Sequence, residues 1–399
     1  MANLIKLRKG LDINLKGKAA EEVMSVKSPG CYALVPDDFT GVTPKVVVKE
    51  QEHVMAGGPL FIDKNHPEVK FVSPVSGVVT SVERGARRKV MCITVKADAQ
   101  QEYQDFGKKN VAGMDAAAVK ALLLEAGMFA FIKQRPYDVV ADPTVAPRAI
   151  FISAFDTNPL ALKGEEANFQ AGLDALAKIA KTYLSISVKQ TSAALTQAKN
   201  VTVTVFDGPN PAGNVGVQIN HIAPVNKGET VWTIDAQAVI FIGRLLSTGK
   251  VDLTRTVAVT GSEVKKAAYC KLKVGALLTN VFSGNVTTDK DLRYISGNVL
   301  TGKQVAADGY LGAFHSQVTV IPEGSDVHEM LGWIMPRTND FSVNHSYFSW
   351  LMGKKEYVID ARIKGGERHM IMSNEYDRVF PMDIFPEYLV KAIIAGDID

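Results

Sequence analysis

Apolar and polar residues change their periodicity part-way along the chain. Up to about residue 100, short apolar runs alternate with clusters of turn residues; examples are KVVVK (45–49), VVTSV (78–82) and VMCITV (90–95). A period of two, bounded by glycine and proline, is typical of strands. The pattern therefore predicts an all-β module over residues 1–100.

From Asp115 onward the apolar residues recur at helical spacing. Asp115 is a good N-cap, Val119 and Leu122 fall on one face, and Gly127 suits the position after a helix end. Strands and helices then alternate, with strands predicted at 149–153, 183–188 and 201–206 and helices at 165–181, 192–200 and 236–246. Such alternation predicts a mainly parallel sheet wound with helices, a Rossmann-like α/β domain over 101–253.

Two further parts follow, so the fold class is predicted to be α/β multidomain. Residues 254–324 combine β runs, a short helix and a glycine-rich stretch at 297–312, which predicts a β-grasp (SLBB-like) domain. Residues 325–399 are predicted to form a C-terminal segment of mixed and helical structure. Its aromatic residues favour an interface; they are Trp333, Phe341, Tyr347, Phe348, Trp350, Tyr357, Phe380 and Phe385.

Composition excludes several classes of function. Apolar residues at 46% and charged residues at 22% are typical of globular proteins, and a net charge of +3 is too small to indicate a nucleic-acid partner. Cys31, Cys92 and Cys270 lie too far apart to form a disulfide framework, an iron–sulfur site or a zinc site by themselves. No apolar run approaches the roughly 18 residues of a membrane span, so any membrane role is peripheral.

Lys64 is the first candidate for chemistry. The runs within 54–82 have the layout of a lipoyl-like β sandwich, in which a lysine at a hairpin tip carries lipoate or biotin. Gly77 stands thirteen positions after Lys64, further than in a working lipoyl hairpin, and Asp63 and Asn65 replace the methionines that border a biotin lysine. These departures disfavour modification of Lys64 and leave a lipoyl or biotinyl carrier as an alternative.

Two loops are candidates for nucleotide sites. A phosphate loop needs glycines where a strand meets a helix, but GMFAFIK (127–133) carries bulky side chains, which disfavours flavin or NAD there. The loop at 208–216 has three glycines but no lysine at Walker spacing, so it could hold an anion or a partner, or form a rigid turn before His221. No GxSxG, HExxH or paired-carboxylate signature is present, so neither catalytic residues nor a metal site are predicted.

Several phrases along the chain carry a resemblance to one family. The phrases are LRKGLDINLKGK, VKEQEHVMAGGPLFIDKNHPEVKFVSPVSGVV, ERGARRKV, FIKQRPYDVVADP, AIFISAFDTNPL, GPNPAGNVGVQI, VAVTGSEV, YISGNVLTG and RVFPMDIFPEYL. On these phrases the chain resembles the NqrA family, the A subunit of the sodium-translocating NADH:quinone reductase. That family is more distantly similar to the flavoprotein subunit of complex I and to the C subunit of Rnf complexes.

The resemblance implies a role within an enzyme complex. The family's complex oxidises NADH, reduces ubiquinone or a related quinone such as menaquinone, and pumps sodium outward. The resemblance implies that FMN, FAD, riboflavin and Fe-S centres reside on other subunits, that this chain binds no cofactor and is inactive alone, and that it docks on the membrane-embedded B subunit at the cytoplasmic face of the bacterial inner membrane. Family members continue past the position of Asp399 with a cysteine-containing segment, so the chain is expected to be truncated.

The same resemblance guides the choice of site residues. A quinone needs an apolar slot and one or two donors, and the residues predicted for it are Phe129, Phe131, Lys133, Arg135 and His221. Partner docking is predicted at Lys64 and His66 and at the basic cluster Arg84, Arg87 and Arg88, although a solvated hairpin explains that cluster more simply. The enzyme-class alternative is a flavin- or NAD-binding dehydrogenase subunit.

Overall fold

The computed structural model describes residues 3–325, 330–331, 334–342, 347–353, 355–362 and 374–397. Trp333 of the predicted aromatic segment lies outside these ranges. The strands of the described residues are β1 (Asn3–Lys6), β2 (Ala20–Val23), β3 (Cys31–Leu34), β4 (Pro44–Val46), β5 (His53–Val54), β6 (Pro59–Asp63), β7 (Lys70–Val72), β8 (Gly77–Arg84), β9 (Val90–Ala97), β10 (Lys133–Arg135), β11 (Val139–Val140), β12 (Ile150–Ser153), β13 (Thr182–Ser187), β14 (Thr202–Asp207), β15 (Val231–Asp235), β16 (Thr254–Thr260), β17 (Ala268–Lys273), β18 (Leu292–Ser296), β19 (Lys303–Val305) and β20 (Gln317–Pro322). The helices are α1 (Ala116–Glu125), α2 (Glu166–Ile179), α3 (Ala193–Thr196), α4 (Val215–Ile222), α5 (Ala236–Thr248), α6 (Thr279–Phe282), α7 (Glu375–Val379) and α8 (Pro386–Ala395).

These strands form four sheets. Their orders are β1-β14-β13-β12-β15-β10-β11, β19-β18-β20-β16-β17-β2, β3-β9-β8-β5 and β4-β6-β7. The chain is thus a mixed α/β protein with several sheets, which confirms the coarse fold class predicted from the sequence. Within the described residues, no helix is long and apolar enough to cross a membrane.

Two strands of the first hundred residues pair outside the two smaller sheets. The two smaller sheets contain β3 to β9 and enclose stacked rings of Phe61 and Phe71, whose centroids are 4.4 Å apart. β1, however, pairs in parallel with β14, and β2 pairs with β17 of another sheet. Such pairing satisfies the edge of a sheet with a strand that lies far away in the sequence.

The seven-stranded sheet has helices on both faces. On β12, the side chains of Ile150 and Ile152 join the core cluster beneath α2 and α5, whereas Phe151 packs with Ile219 of α4 on the opposite face. Five neighbouring strands of this sheet are parallel, as predicted: β1, β14, β13, β12 and β15. β10 and β11 add an antiparallel hairpin at the edge next to β15. Alternation of side chains along a strand explains why one strand serves both helix layers.

Two helices differ from the sequence prediction. α3 has four residues, whereas the pattern predicts a helix over 192–200. α4 is not predicted by the pattern, because its start follows a loop rich in glycine and proline; the Asn214 side chain nevertheless caps it by accepting from the Gly216 N–H at 2.8 Å. α4 places its first turn at the carboxyl end of the sheet.

Helices α2 and α5 approach closely through glycines. A side chain at Gly243 of α5 would overlap the carbonyl oxygen of Asn168 in α2, and one at Gly172 of α2 would overlap the carbonyl oxygen of Val239 in α5. The absence of Cβ atoms at these two positions lets the helix backbones touch.

The six-stranded sheet, which we call the third sheet because most of its strands lie in 254–324, is assembled around β16. β16 pairs in parallel with β20 and antiparallel with β17. Residues from the C-terminal segment pack on the start of the chain, where Leu15 and Tyr357 form a β bridge. The helix predicted near the C-terminus is confirmed as α8.

Candidate functional site

The candidate site lies where β12 and β15 end side by side. Ser153 and Asp235, the last residues of these strands, are register partners. In this sheet β13 and β14 lie on one side of β12, and β15 lies on the other, so the winding direction reverses between β12 and β15. A crevice at the carboxyl ends of such strands is the usual ligand site of open α/β sheets.

Two adjoining cavities occupy this crevice, which we call the switch-point cleft. One, of about 510 Å³, is bounded by the carboxyl ends of the seven-stranded sheet and by residues within 297–301 and 314–317. These residues belong to the 254–324 part of the chain, which we call the third region. The other, of about 400 Å³, is lined by residues of β10, β15 and the start of α4. Ser153, Asp235, Thr301 and Phe314 line both. The cleft therefore lies between the α/β region and the third region.

An ion pair fixes the floor of the switch-point cleft. The two carboxylate oxygens of Asp235 each accept a bond of 3.0 Å from the guanidinium of Arg255, whose side chain is only 1% exposed. Asp235 also caps α5 by accepting from the backbone N–H groups of Gln237 and Ala238. The Arg255 guanidinium lies 5.0 Å from the ring centroid of Phe241. A buried guanidinium with a bidentate carboxylate leaves little free charge for a ligand.

Three of the predicted quinone residues meet at the cleft. Phe131, Lys133 and Arg135 line its smaller cavity together with Phe314 and Asp138. The Phe131 and Phe314 rings are 5.9 Å apart edge to face, and the Lys133 ammonium lies 4.5 Å from the Phe314 centroid. Asp138 pairs with Lys133 at 3.4 Å and with Arg135 at 3.1 Å. Aromatic faces thus surround this cavity, and its two cations share one carboxylate.

The other two predicted quinone residues lie elsewhere. Phe129 is fully buried and packs edge to face on Trp232, with centroids 5.3 Å apart. It belongs to a turn between α1 and the antiparallel strand β10, so this segment does not open the parallel part of the sheet. The loop at the carboxyl end of the parallel strand β12 carries Asp156 instead.

His221 lies further along α4, facing a different cavity. Its Nε2 is 2.8 Å from the carbonyl oxygen of Pro381, in a cavity shared with the first strand and the C-terminal segment. It lies six positions after Val215 at the cleft, which is roughly 9 Å of helix rise. The 208–216 loop itself packs on the N-terminal segment, where the Asn210 N–H donates to Asp12 at 2.8 Å.

The predicted docking residues occupy two hairpin tips. Lys64 follows β6 and is exposed, while the Asp63 carboxylate is buried and accepts from the N–H groups of Thr43 and Asn65. His66 Nδ1 lies 3.8 Å from Asp142, so its ring turns toward the α/β region.

The second tip connects β8 and β9. Arg84, Arg87 and Arg88 are all exposed there. Lys89 pairs with Asp37 at 2.6 Å. The two tips therefore present at least four cations to the surroundings: Lys64, Arg84, Arg87 and Arg88.

The switch-point cleft also contains polar residues that the sequence pattern does not predict. His315 bonds through Nδ1 to the Ser296 hydroxyl at 2.8 Å, and burial lowers the His315 pKa. Asp156 lies on the opposite wall, where burial, with a smaller contribution from Asp12, raises its pKa. The signal for His315 is the glycine-rich stretch 297–312, which directly precedes AFH and creates the room around its ring.

Metal ligation has little support among the residues the structure describes. No three His, Cys, Asp or Glu side chains there come together in a group that could hold an ion. Cys31, Cys92 and Cys270 are separate free thiols.

Comparisons with known proteins cover nearly the whole chain. Family profiles match it over residues 5–98 (NqrA N-terminal barrel-sandwich hybrid domain), 114–251 (NqrA second alpha/beta domain) and 256–307 (NQRA C-terminal domain). The chain is similar to proteins named as the A subunit of the Na(+)-translocating NADH-quinone reductase. The one from Serratia proteamaculans is 35% identical over 99% of this chain and 90% of its own length. Those from Vibrio anguillarum and Neisseria meningitidis serogroup B are 34% and 32% identical, with the same coverage.

One solved structure shows a much weaker likeness. A chain of the NAD+-reducing [NiFe]-hydrogenase in the air-oxidized state aligns with a TM-score of 0.32 and 15% identity, over 48% of this chain and 45% of that one. A likeness of this size supports no conclusion about function.

Proposed function

The chain belongs to the NqrA family, the A subunits of Na(+)-translocating NADH-quinone reductases, and from this premise we propose that it acts as a peripheral subunit of such a complex. The resemblance predicted from the sequence phrases is thereby confirmed. In this role the assembled complex oxidises NADH, reduces a quinone and moves sodium outward, while the isolated chain has no turnover of its own. Enzyme activity then belongs to the complex.

Within the complex, we propose that this subunit contacts the quinone in the switch-point cleft. The observation that carries this proposal is the pair of aromatic rings, Phe131 and Phe314, beside the hydrogen-bond donors Lys133 and Arg135. A quinone head group is flat and uncharged and carries two carbonyl oxygens, so it suits a pocket with aromatic walls and one or two donors. Phe129 then acts as support behind the cleft, and His221 acts outside it.

Ubiquinone and menaquinone both satisfy this chemistry. The prediction that NADH, FMN, FAD, riboflavin and Fe-S centres are bound by other subunits remains part of the proposal.

For docking, we propose the membrane-embedded B subunit as the partner, at the cytoplasmic face of the bacterial inner membrane. The exposed cations Lys64, Arg84, Arg87 and Arg88 support a charged contact, and His66 lies beside the first tip. The C-terminal segment adds exposed apolar surface, with Phe385 at 76% and Tyr388 at 57% exposure. Large exposed aromatic residues are typical of interfaces rather than of free surface.

Finer fold assignments are also proposed. They are a lipoyl-like sandwich over 1–100, a Rossmann-like doubly wound domain over 101–253 and a β-grasp (SLBB-like) domain over 254–324, followed by a C-terminal segment over 325–399. In this assignment β1 and β2 belong to the first region by sequence but pair with strands of the second and third. Sheet order and helices on both faces of β12 support the second assignment.

A quinone titration tests the proposed function. The full chain and the assembled complex are titrated with a short-chain ubiquinone by isothermal calorimetry, in the wild type and in Phe131→Leu. Phe348→Leu, at a ring that is 58% exposed and outside the cleft, is the matched control. We expect saturable binding that Phe131→Leu weakens about tenfold or less while the control leaves it unchanged. Equal affinity in all three proteins would remove the cleft from quinone binding.

Two measurements test the alternatives. Stoichiometric flavin absorption from the purified chain would favour a flavin-binding dehydrogenase subunit. An adduct in the intact mass that disappears in Lys64→Arg would favour a lipoyl or biotinyl carrier.

A further inference from the structure

The larger cavity of the switch-point cleft contains a histidine whose two ring nitrogens have different surroundings. We propose that His315 donates a hydrogen bond from Nε2 to a carbonyl oxygen of the quinone head group, beside the ring of Phe314. This inference rests on the proposed function, since it names the hydrogen-bond donor in the same cleft. His315 and Phe314 are not among the residues predicted from the sequence.

Ser296 sets the tautomer of His315. Ser296 is 1% exposed. Its hydroxyl oxygen accepts the Gly312 N–H at 3.0 Å and lies 2.8 Å from His315 Nδ1. A buried hydroxyl needs an acceptor for its own proton, and Nδ1 is the acceptor within reach among the described residues. Nδ1 therefore accepts from Ser296, and the ring proton of neutral His315 is on Nε2.

Burial keeps the ring neutral. It lowers the pKa of His315; Asp38 opposes this shift, and Lys303, Arg255 and Lys133 act in the same direction as burial. A neutral imidazole with Nδ1 engaged offers one donor, and a quinone carbonyl needs one donor.

Two glycines leave room around the ring. A Cβ at Gly312 would lie 2.5 Å from Nδ1, and a Cβ at Gly297 would lie 3.2 Å from Nε2. Among the described residues, Nε2 has no hydrogen-bond partner, while His315, Phe314 and Gly297 all line the larger cavity. The Nε2–H is thus an unused donor at the edge of an open space.

Charges in the cleft favour a neutral acceptor over an anion. The guanidinium of Arg255 is held by Asp235, and Lys133 and Arg135 share Asp138. That sharing leaves one positive charge in excess in the smaller cavity, but the larger cavity, where His315 lies, is lined by Asp156 as well as by the Asp235–Arg255 pair. A phosphate or carboxylate beside His315 would therefore meet more carboxyl groups than cations, whereas a carbonyl oxygen needs only the N–H. A quinone head group presents such an oxygen on a flat ring, and Phe314 supplies an aromatic neighbour.

Infrared spectroscopy of the bound quinone tests this inference. The full chain and the assembled complex are loaded with a carbonyl-labelled short-chain ubiquinone, and the carbonyl stretch and the dissociation constant are measured for wild type, His315→Leu and His315→Gln. A hydrogen bond lowers the stretching frequency of one carbonyl. We expect the lowered band in the wild type, its loss with roughly three- to tenfold weaker binding in His315→Leu, and partial retention in His315→Gln, whose amide is also a donor.

Ser296→Ala provides a variant that keeps the imidazole. Without the hydroxyl, Nδ1 is free to take the proton, so we expect the lowered band to weaken and the imidazole nitrogen shifts of His315 to show both tautomers. An unchanged carbonyl band and unchanged affinity in His315→Leu, together with weaker binding in Phe131→Leu, would overturn the role of His315 and leave the proposed function standing. Absence of quinone binding by the wild-type chain and complex would overturn both.

Discussion

Asp235 and Arg255 lie on different parts of the fold and form a bidentate ion pair with both bonds at 3.0 Å. Asp235 ends the last parallel strand of the seven-stranded sheet, and Arg255 lies on a central strand of the third sheet. The pair therefore holds together the two walls of the switch-point cleft. Because the Arg255 side chain is only 1% exposed, its positive charge is stabilised by this carboxylate rather than by water.

Asp235→Asn tests the stabilisation from this pair. Asparagine retains the cap on α5 but leaves the Arg255 charge buried without a counter-ion. We expect a loss of about 2–4 kcal/mol in the free energy of unfolding, less than for a fully buried pair because Asp235 is 36% exposed. Denaturant titration measures it.

The control for that prediction is an exposed pair. Arg378 and Glu375 lie 3.1 Å apart on α7 with high exposure, so Arg378→Gln should cost less than about 0.5 kcal/mol. An equal loss in the free energy of unfolding for both substitutions would show that burial of Arg255 does not strengthen the contribution of its ion pair to stability.

The contact between α2 and α5 leads to a second prediction. Gly243→Ala gains about 1 kcal/mol of helix propensity but forces a methyl group against the Asn168 carbonyl, so we expect a net loss of about 2–3 kcal/mol. Thermal unfolding measures it. Gly113→Ala, where nothing lies within 4 Å of an added methyl, is the matched control and should change stability by less than about 1 kcal/mol. A Gly243→Ala protein of unchanged stability would disprove the close approach.

Titration of His315 leads to a third prediction. Its pKa is lowered by burial, with Lys303, Arg255 and Lys133 acting in the same direction and Asp38 opposing them. The unfolded chain therefore binds a proton at this histidine at a higher pH than the folded chain does. Stability from neutral His315 is fully present above about pH 6.5 and is lost as the pH falls below it.

We expect the wild type to lose more stability than His315→Gln between about pH 7 and pH 5. Carboxylates with lowered pKa values, such as Glu165 beside Arg244, lose their contribution only at lower pH, so they do not obscure this window. Parallel pH profiles for the two proteins would show that His315 does not titrate differently on folding.

Thiol reactivity provides a fourth prediction. Burial raises the pKa of Cys270 to about 12 and also raises that of Cys92, whereas Cys31 is partly exposed. Since thiolates are the reactive species, a maleimide at neutral pH should label Cys31 in the folded protein and all three thiols after denaturation. Intact mass counts the adducts, and Cys31→Ser should remove labelling of the folded chain. Rapid labelling of Cys270 under native conditions would contradict its burial.

Much of the fold can be predicted from periodicity, and the reasons differ by element. α5 is predictable because AQAVIFIGRLL is apolar and Asp235 is a strong cap. α4 escapes prediction because its cap follows a loop dense in glycine and proline, where local signals favour a turn. The pairing of β1 with β14 cannot be predicted from the sequence, because a partner strand about 200 residues away leaves no local trace.

Only part of the candidate site is predictable from the sequence, because its residues come both from one short segment and from distant parts of the chain. Phe131, Lys133 and Arg135 lie on one short segment, so their proximity follows from sequence. Phe314 and His315 reach the cleft only because the third sheet folds back over the carboxyl ends of β12 and β15. The glycine-rich stretch 297–312 marks the room around His315, but it does not indicate which strands these two residues reach.

The pairing of Asn3 with Thr204 also makes the order of synthesis matter. The first strand leaves the ribosome about 200 residues before its partner, which at roughly 5–20 residues per second is a delay of about 10–40 seconds. During that time its neighbour in the finished sheet does not yet exist. A fragment that starts at residue 101 would leave the outer edge of β14 (Thr202–Asp207) without β1, and such an open edge favours aggregation. Expression of the α/β region alone should therefore include the first strand, for example by circular permutation.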